Sequence, residues 1–162
     1  MLISLPISKR EFDEIAIDLD VSGSDAGPEL VASFTKKAAG IRFTKDEVLF
    51  RIGEPGNSVY LVQSGEIGLV LPIDRTRGIG FRAKPGSLVG LPAAFSKEPY
   101  SMTAIAWGRS EVLVMSADRF SELVAASPTL VLDVLRILAA ETRAARVAVV
   151  ETGAKRRDAV CR

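Results

Sequence analysis

Between Val48 and Leu71 apolar residues recur at every second position: Val48, Phe50 and Ile52, then Val59 and Leu61, then Ile67, Leu69 and Leu71. A period of two puts alternate side chains on one face, so this run predicts a series of short, half-buried strands. Gly53, Gly56-Asn57 and Gly65 fall between the runs, where residues that tolerate positive φ or bond their own backbone reverse the chain at low cost. The same alternation, broken by Gly or Pro, extends from Ile41 to Met115, with a hairpin predicted near Asp74 to Gly78 and a loop at Lys84-Pro85-Gly86. Upstream, Ile15, Ile17, Leu19 and Val21 alternate with Ala16, Asp18 and Asp20 and predict an extra strand or extended arm within residues 1–26. Gly27-Pro28 then opens a helix predicted over Glu29 to Ala39, with Leu30, Val31, Phe34 and Ala38 on one side and Gly40 as its stop.

The period changes to the helical one at Ser116. Ser116 is a suitable N-cap, Asp118 and Glu122 favour the positive end of a helix, and Phe120, Leu123 and Val124 form an apolar side, which predicts a helix over 117–126. Ser127-Pro128 provides the cap and first-turn residue of a second helix predicted over 128–152, about 25 residues or nearly 40 Å long. Two adjacent stripes run along it. Val131, Leu135, Leu138, Thr142, Ala145 and Val149 form one; Leu130, Val134, Ile137, Ala144 and Ala148 form the other, with Asp133, Arg136 and Arg143 on the remaining side. One stripe can pack on the strands. The spacings of four and three along the first suit a second copy of the same helix in a coiled-coil seam, the alternative being a single broad stripe packed on its own domain. Lys155-Arg156-Arg157 makes residues 153–162 a short, solvated basic tail.

Composition narrows the function classes. The 162 residues are enough for one domain with a core of its own. With 21 basic and 20 acidic residues the net charge is +1, so no overall field points to nucleic acid, a membrane or an anionic partner. No run approaches the roughly 18 apolar residues of a membrane span, and the start lacks a basic region followed by a long apolar core, which predicts a cytoplasmic protein. The one cysteine, Cys161, allows no intrachain disulfide and no thiolate cluster. The chain has no histidine. That removes imidazole-based nucleophile systems and the histidine-held metals usual in small jelly-roll enzymes. Glu11, Asp13, Glu14, Asp18, Asp20 and Asp25 read as a solvated acidic face rather than an acid–base pair. The expectation is a protein that is not an enzyme.

Gly53-Glu54 through Tyr60-Leu61 to Gly65-Glu66-Ile67, followed by a short and then a long helix, resemble the cyclic-nucleotide-binding domain family, as in sensor domains of the catabolite-activator type. The resemblance spans roughly Leu30 to Val150. It implies a mainly β fold with flanking helices: a double-stranded β-helix, or jelly roll, over 41–115 inside a domain at 27–152, with a short N-terminal helix and a short plus a long C-terminal helix. It also implies a phosphate-binding cassette, which aligns as Gly86 to Phe95 and then Pro99 to Ala104. Gly86 and Gly90 stand at the family's glycines, Ala93 at its small residue, and Ser101 and Thr103 follow the place of its arginine.

The two charged members of that cassette are absent. The family's glutamate, which takes the ribose hydroxyl, aligns with Leu91; its arginine, which pairs with the cyclic phosphate, aligns with Tyr100; and Pro92 removes a backbone donor from the phosphate turn. Losing a bidentate, charge-assisted contact costs about 1.5 to 3 kcal/mol. With the ribose acceptor gone as well, a combined loss of roughly 3 to 5 kcal/mol lowers affinity by about 100- to 1,000-fold or more.

Three readings of the altered cassette remain at this point. The pocket is rebuilt for another ligand around Gly90, Leu91, Pro92, Ala93 and Tyr100, with Ser101, Thr103 and the Tyr100 hydroxyl as polar anchors and Arg82, or Arg75 or Arg77, as a substitute cation. Or it is filled by its own side chains, leaving a dimerising or docking module. Or weak cyclic nucleotide binding survives through Ser101 and backbone donors. Only nine residues follow Gly153, fewer than a helix-turn-helix domain needs, so direct sequence-specific DNA binding is not expected. The leading expectation is a stand-alone sensor or regulatory domain with altered or lost cyclic nucleotide affinity, no certain cofactor, and a cyclic nucleotide or other small molecule as ligand. It would be a homodimer through 127–150 and would signal to a separate, unidentified protein partner by ligand-driven movement of its C-terminal helices. The competing expectation is a non-sensing interaction module that keeps only the fold.

Overall fold

The computed structural model describes residues 7–17, 25–72 and 78–160, with 152–160 by backbone alone. The alternating runs become strands of two facing sheets. In chain order the elements are α1 (Lys9–Ile15), β1 (Ala16–Ile17), α2 (Pro28–Lys37), β2 (Ala39–Phe43), β3 (Val48–Phe50), β4 (Ser58–Ser64) and β5 (Ile67–Pro72). There follow β6 (Gly78–Ala83), β7 (Leu88–Val89), α3 (Leu91–Ser96), β8 (Thr103–Ala106), β9 (Ser110–Ser116), α4 (Ala117–Ala125) and α5 (Pro128–Val160). One sheet has the order β1-β6-β5-β8-β3 and the other β2-β9-β4-β7. Every pairing is antiparallel except β1 with β6. The architecture is the mainly β jelly roll with flanking helices that the family resemblance implies.

Between the sheets lie Phe50, Val62, Ile67, Val89, Ala104 and Val112. A second core joins the helices to the roll: Leu30 and Phe34 of α2, Leu91 of α3, Phe120 of α4 and Val134 and Ile137 of α5 pack with Val59, Leu61 and Met115. Ser116 caps α4 as expected, its hydroxyl accepting from the Arg119 N–H at 3.3 Å. Gly65 takes φ +90° at the β4–β5 turn, and a Cβ there would stand 2.2 Å from Ser110 Oγ, so the position admits no side chain.

Four expectations are corrected in whole or in part. The N-terminal segment does supply an extra strand, β1, paired with β6, but it is only two residues long and an unforeseen helix, α1, precedes it. Ser8 and Glu11 form a reciprocal capping box, an S-x-x-E signal that the alternation of Ile15 and Ile17 obscured; Leu19 and Val21 lie outside the described residues. Gly40 does not stop α2, because the chain leaves the helix at Ala38 and pairs Gly40 with Leu113 in β2. The long helix continues through Gly153 to Val160; a single glycine costs a helix about 1 kcal/mol, too little to end it. The cassette contains a helix, α3, where only a turn was foreseen. The predicted hairpin places Pro72 opposite Gly78, while its turn at 73–77, with Arg75 and Arg77, lies outside the described residues.

The outer face of β5 and β6 is covered as well. Phe12 of α1 is fully buried over Gly68 and Gly80, where an added Cβ would come within 2.8 Å of its ring. It packs against Trp107 at 5.1 Å between ring centroids. Half-buried strands, as read from period two, are therefore buried on both faces here.

Candidate functional site

The two sheets, α3 and α5 enclose a cavity of about 110 Å³, open at one side. The roll contributes Phe50 from β3, Leu69 from β5, Phe81 from β6 and Leu88 and Val89 from β7. The cassette contributes Gly90, Pro92, Ala93, Tyr100, Ser101 and Met102, and α5 closes the space with Glu141 and Ala145. Gly90 has φ +86° as it turns the chain from β7 into α3, and a Cβ there would lie 3.0 Å from the Ser58 carbonyl oxygen and 3.1 Å from Tyr100 Cε1. Both the backbone angle and the crowding require glycine.

Tyr100 is buried in the wall of this cavity and held on two sides. Its ring stacks on Phe50 at 3.8 Å between centroids and 17° between planes. Its hydroxyl donates to the Ser58 carbonyl at 2.8 Å and accepts from the Ser58 N–H at 3.1 Å. Burial raises the phenol above its ordinary range, so it remains a neutral donor. The expectation that this hydroxyl serves as a free polar anchor is thereby corrected: it is bound to β4.

Three further candidates do not line the cavity. Leu91 is fully buried on the opposite side of α3, within the core shared with α2, α4 and α5. Thr103 is buried and its Oγ1 accepts from the Ile52 N–H at 3.1 Å. Arg82 lies on the outer face of the sheet, because an odd offset from Phe81 in a strand points it the other way. There its guanidinium donates to Asp13 at 2.9 Å and Glu66 at 2.8 Å and sits 5.4 Å over the Phe12 ring. It holds α1 on the sheet and does not replace the missing cation. Pro92, by contrast, stands in the first turn of α3, where its ring fits the helix while withholding an N–H from the cavity.

Glu141 is the residue that sequence reasoning missed. Leu130, Val134, Ile137, Ala144 and Ala148 repeat by three and four with one gap, and position 141 fills it. The gap in the buried stripe was the available signal. Glu141 keeps some exposure, yet it has no hydrogen-bond or ionic partner among the described residues, and burial alone pushes its carboxyl from the ordinary 4.5 up to about 7. Among the described residues it and Tyr100 are the ionisable groups of the lining, and both are acids.

On α5 the stripe Leu130, Val134, Ile137 and Ala148 is buried. Val131, Leu135, Thr142, Ala145 and Val149 are exposed and Leu138 is partly covered. Leu135 and Val149 are 55% and 63% exposed, values that no buried core position reaches. A short segment ties this helix to the cassette: the Ala26 N–H donates to the Gly86 carbonyl at 3.0 Å, the Gly27 N–H to Asp133 Oδ2 at 2.7 Å, and Arg136 to the Asp25 carbonyl at 2.7 Å. Among the described residues no helix is long and apolar enough to cross a membrane.

The fold has counterparts in known proteins. A CRP-like cAMP-activated global transcriptional regulator of Mycobacterium tuberculosis is 26% identical over 118 residues, which cover 72% of this chain and 52% of the regulator. This chain thus spans about half the length of the curated relatives it matches. The catabolite activator protein of Thermus thermophilus superposes with a TM-score of 0.68 at 21% identity, covering 78% of this chain and 60% of that one. A cyclic nucleotide-binding domain from Methylobacillus flagellatus gives 0.66 at 22% identity, covering 90% and 84%. At these identities the two structures speak for the fold alone. The profile of the cyclic nucleotide-binding domain matches residues 41–127, more than half of the chain, and with the jelly roll, the cassette and the α4–α5 pair in place, the chain belongs to the cyclic nucleotide-binding domain family.

Proposed function

We propose that this chain is a regulatory, ligand-sensing domain whose pocket no longer holds a cyclic phosphate in the family's manner and whose α5 pairs with that of a second copy. The observation that carries the reading is the double position of Ala145. It lines the cavity, and it belongs to the four-and-three stripe of Val131, Leu135, Leu138, Thr142 and Val149, which is exposed except at the partly covered Leu138. A molecule in the cavity therefore touches the same helix that would form the seam, and any difference in its affinity for two positions of α5 shifts their populations. The segment 25–27, bonded to Gly86 on one side and to Asp133 and Arg136 on the other, supports a second route between cassette and helix.

Altered affinity follows from the lining. Tyr100 stacked on Phe50 gives a phosphate no positive charge, Arg82 is engaged on the other face of the sheet, and Pro92 withholds its donor. A desolvated anion without a cation is strongly disfavoured. Thermal unfolding against cAMP, cGMP and a panel of small metabolites tests the proposal: a ligand at 100 times its dissociation constant raises stability by about 2.7 kcal/mol. The expected result is little change with either cyclic nucleotide and a clear shift with some other small molecule. Flat curves across the whole panel would leave the competing reading, a dimerising module that keeps only the fold.

A further inference from the structure

We propose that the cavity takes a small apolar amine, the size of one ring or a short branched chain, with its ammonium paired to the carboxylate of Glu141. This rests on the ligand-sensing reading above and adds the chemical class of the ligand.

Size comes first. Cavities that hold drug-sized ligands measure about 300 to 1,000 Å³, whereas an engineered apolar cavity of about 150 Å³ is known to take benzene. At about 110 Å³, open at one side, the present space fits a single ring whose substituent reaches the opening. Nearly all of the lining is apolar, and Phe50, Leu69, Phe81 and Met102 provide its body.

Charge follows. Among the described residues no lysine or arginine lines the cavity, and the two ionisable groups of the lining, Glu141 and Tyr100, can carry only negative charge. Phe50, Phe81 and Tyr100 are aromatic members of the lining and bring no positive charge to it. An anion entering here meets Glu141 without a counter-charge; an ammonium meets a carboxylate that has no other partner among the described residues. The remaining ammonium protons find the exposed Ser101 hydroxyl at the rim and water at the opening. The burial that raises the Glu141 carboxyl is the cost that such a partner would offset.

The test is a titration of the whole chain, followed by backbone amide NMR, at about pH 8, where the carboxyl is ionised. The probes are benzylamine, benzyl alcohol, benzoate and cAMP. We expect saturable shifts at Gly90, Ser101 and Met102, with benzylamine binding about tenfold or more tightly than benzyl alcohol and benzoate weakest of the three. In Glu141→Gln the amine's advantage over the alcohol disappears. Should the alcohol bind as tightly as the amine, the amine class is overturned and the cavity remains a ligand site. Saturation by cAMP with no response to benzylamine would overturn it in favour of the family's own chemistry. If none of the four probes shifts these amides, the ligand-sensing reading falls with it. The comparison of amine and alcohol in the unmodified chain decides the matter even if the variant fails to fold.

Discussion

Tyr100 lies flat on Phe50, ring centroids 3.8 Å apart, with its hydroxyl held by both the N–H and the carbonyl of Ser58. This pair joins β3 and β4 to the segment between α3 and β8. Tyr100→Phe keeps the stack and removes two hydrogen bonds, leaving the Ser58 carbonyl without its partner. The expected loss is about 1 to 2 kcal/mol, read as a lower urea midpoint at unchanged m-value. Tyr100→Ala removes the stack too and costs about 3 to 5 kcal/mol. If Tyr100→Phe leaves the midpoint where it was, the hydroxyl is not bonded as described.

Leu91 shows why the family's ligand chemistry cannot be restored by sequence matching. The resemblance implies that it stands at the place of the glutamate that takes the ribose hydroxyl, yet its side chain has no exposed surface and packs among Leu30, Phe34, Val59 and Ile137. Leu91→Glu would place a carboxyl in that core. The expected outcome is a loss of several kcal/mol, or a carboxyl that stays protonated, without any gain in cAMP binding by calorimetry. Tight cAMP binding by a stable Leu91→Glu protein would show that α3 turns this residue toward the cavity instead.

The strands and turns were legible because the strands alternate and the turns carry glycine, two signals that survive without tertiary context, while their closure into a roll was implied by the family resemblance. Gly53-Glu54 through Gly65-Glu66-Ile67 lie at turns and strand ends as read. The site was legible in outline only. Gly90, Pro92, Ala93, Tyr100 and Ser101 do line the cavity, while Leu91, Thr103 and Arg82 do not. Alignment gives a position along the chain, and orientation on a short helix or the two faces of a strand decides what that position touches. Glu141 comes from a helix about forty residues beyond Tyr100, and its part depends on how α5 lies across the roll. Phe12 went unread for a similar reason: its floor, Gly68 and Gly80, is made by two strands that only the fold brings side by side.

The exposed stripe of α5 makes a separate expectation. Leu135 and Val149 sit two heptads apart, both more than half exposed, with Leu138, Thr142 and Ala145 between them. Apolar side chains at this spacing gain their burial from a facing helix. Equilibrium sedimentation at micromolar concentration is expected to find a dimer, and Leu135→Glu to shift it to monomer while far-ultraviolet circular dichroism stays native, because the residue does not belong to the domain's own core. A protein that sediments as a monomer before any substitution would rule the seam out.

Glu141 gives the chain a pH dependence whose sign can be worked out. Its carboxyl titrates at about 7 in the folded protein and near 4.5 when exposed. Below about pH 4.5 both states hold the proton and the residue costs nothing. Between 4.5 and 7 the unfolded chain releases its proton while the folded one keeps it, so stability falls as pH rises, and above about 7 the loss is complete. At 1.36 kcal/mol per pH unit the ceiling over this window is about 3 kcal/mol, reduced by whatever water reaches the partly exposed carboxyl. Tyr100, the other ionisable group of the lining, is raised from 10 by burial and does not titrate in this window. Other carboxylates change the absolute stability over the same pH range, so the useful quantity is a difference. In urea unfolding from pH 4 to pH 8, Glu141→Gln is expected to gain on the unmodified protein steadily as pH rises and to level off above neutrality. A difference that stays constant across the range would mean that Glu141 reaches bulk water, and with that the case for a buried carboxylate awaiting a cation would be lost.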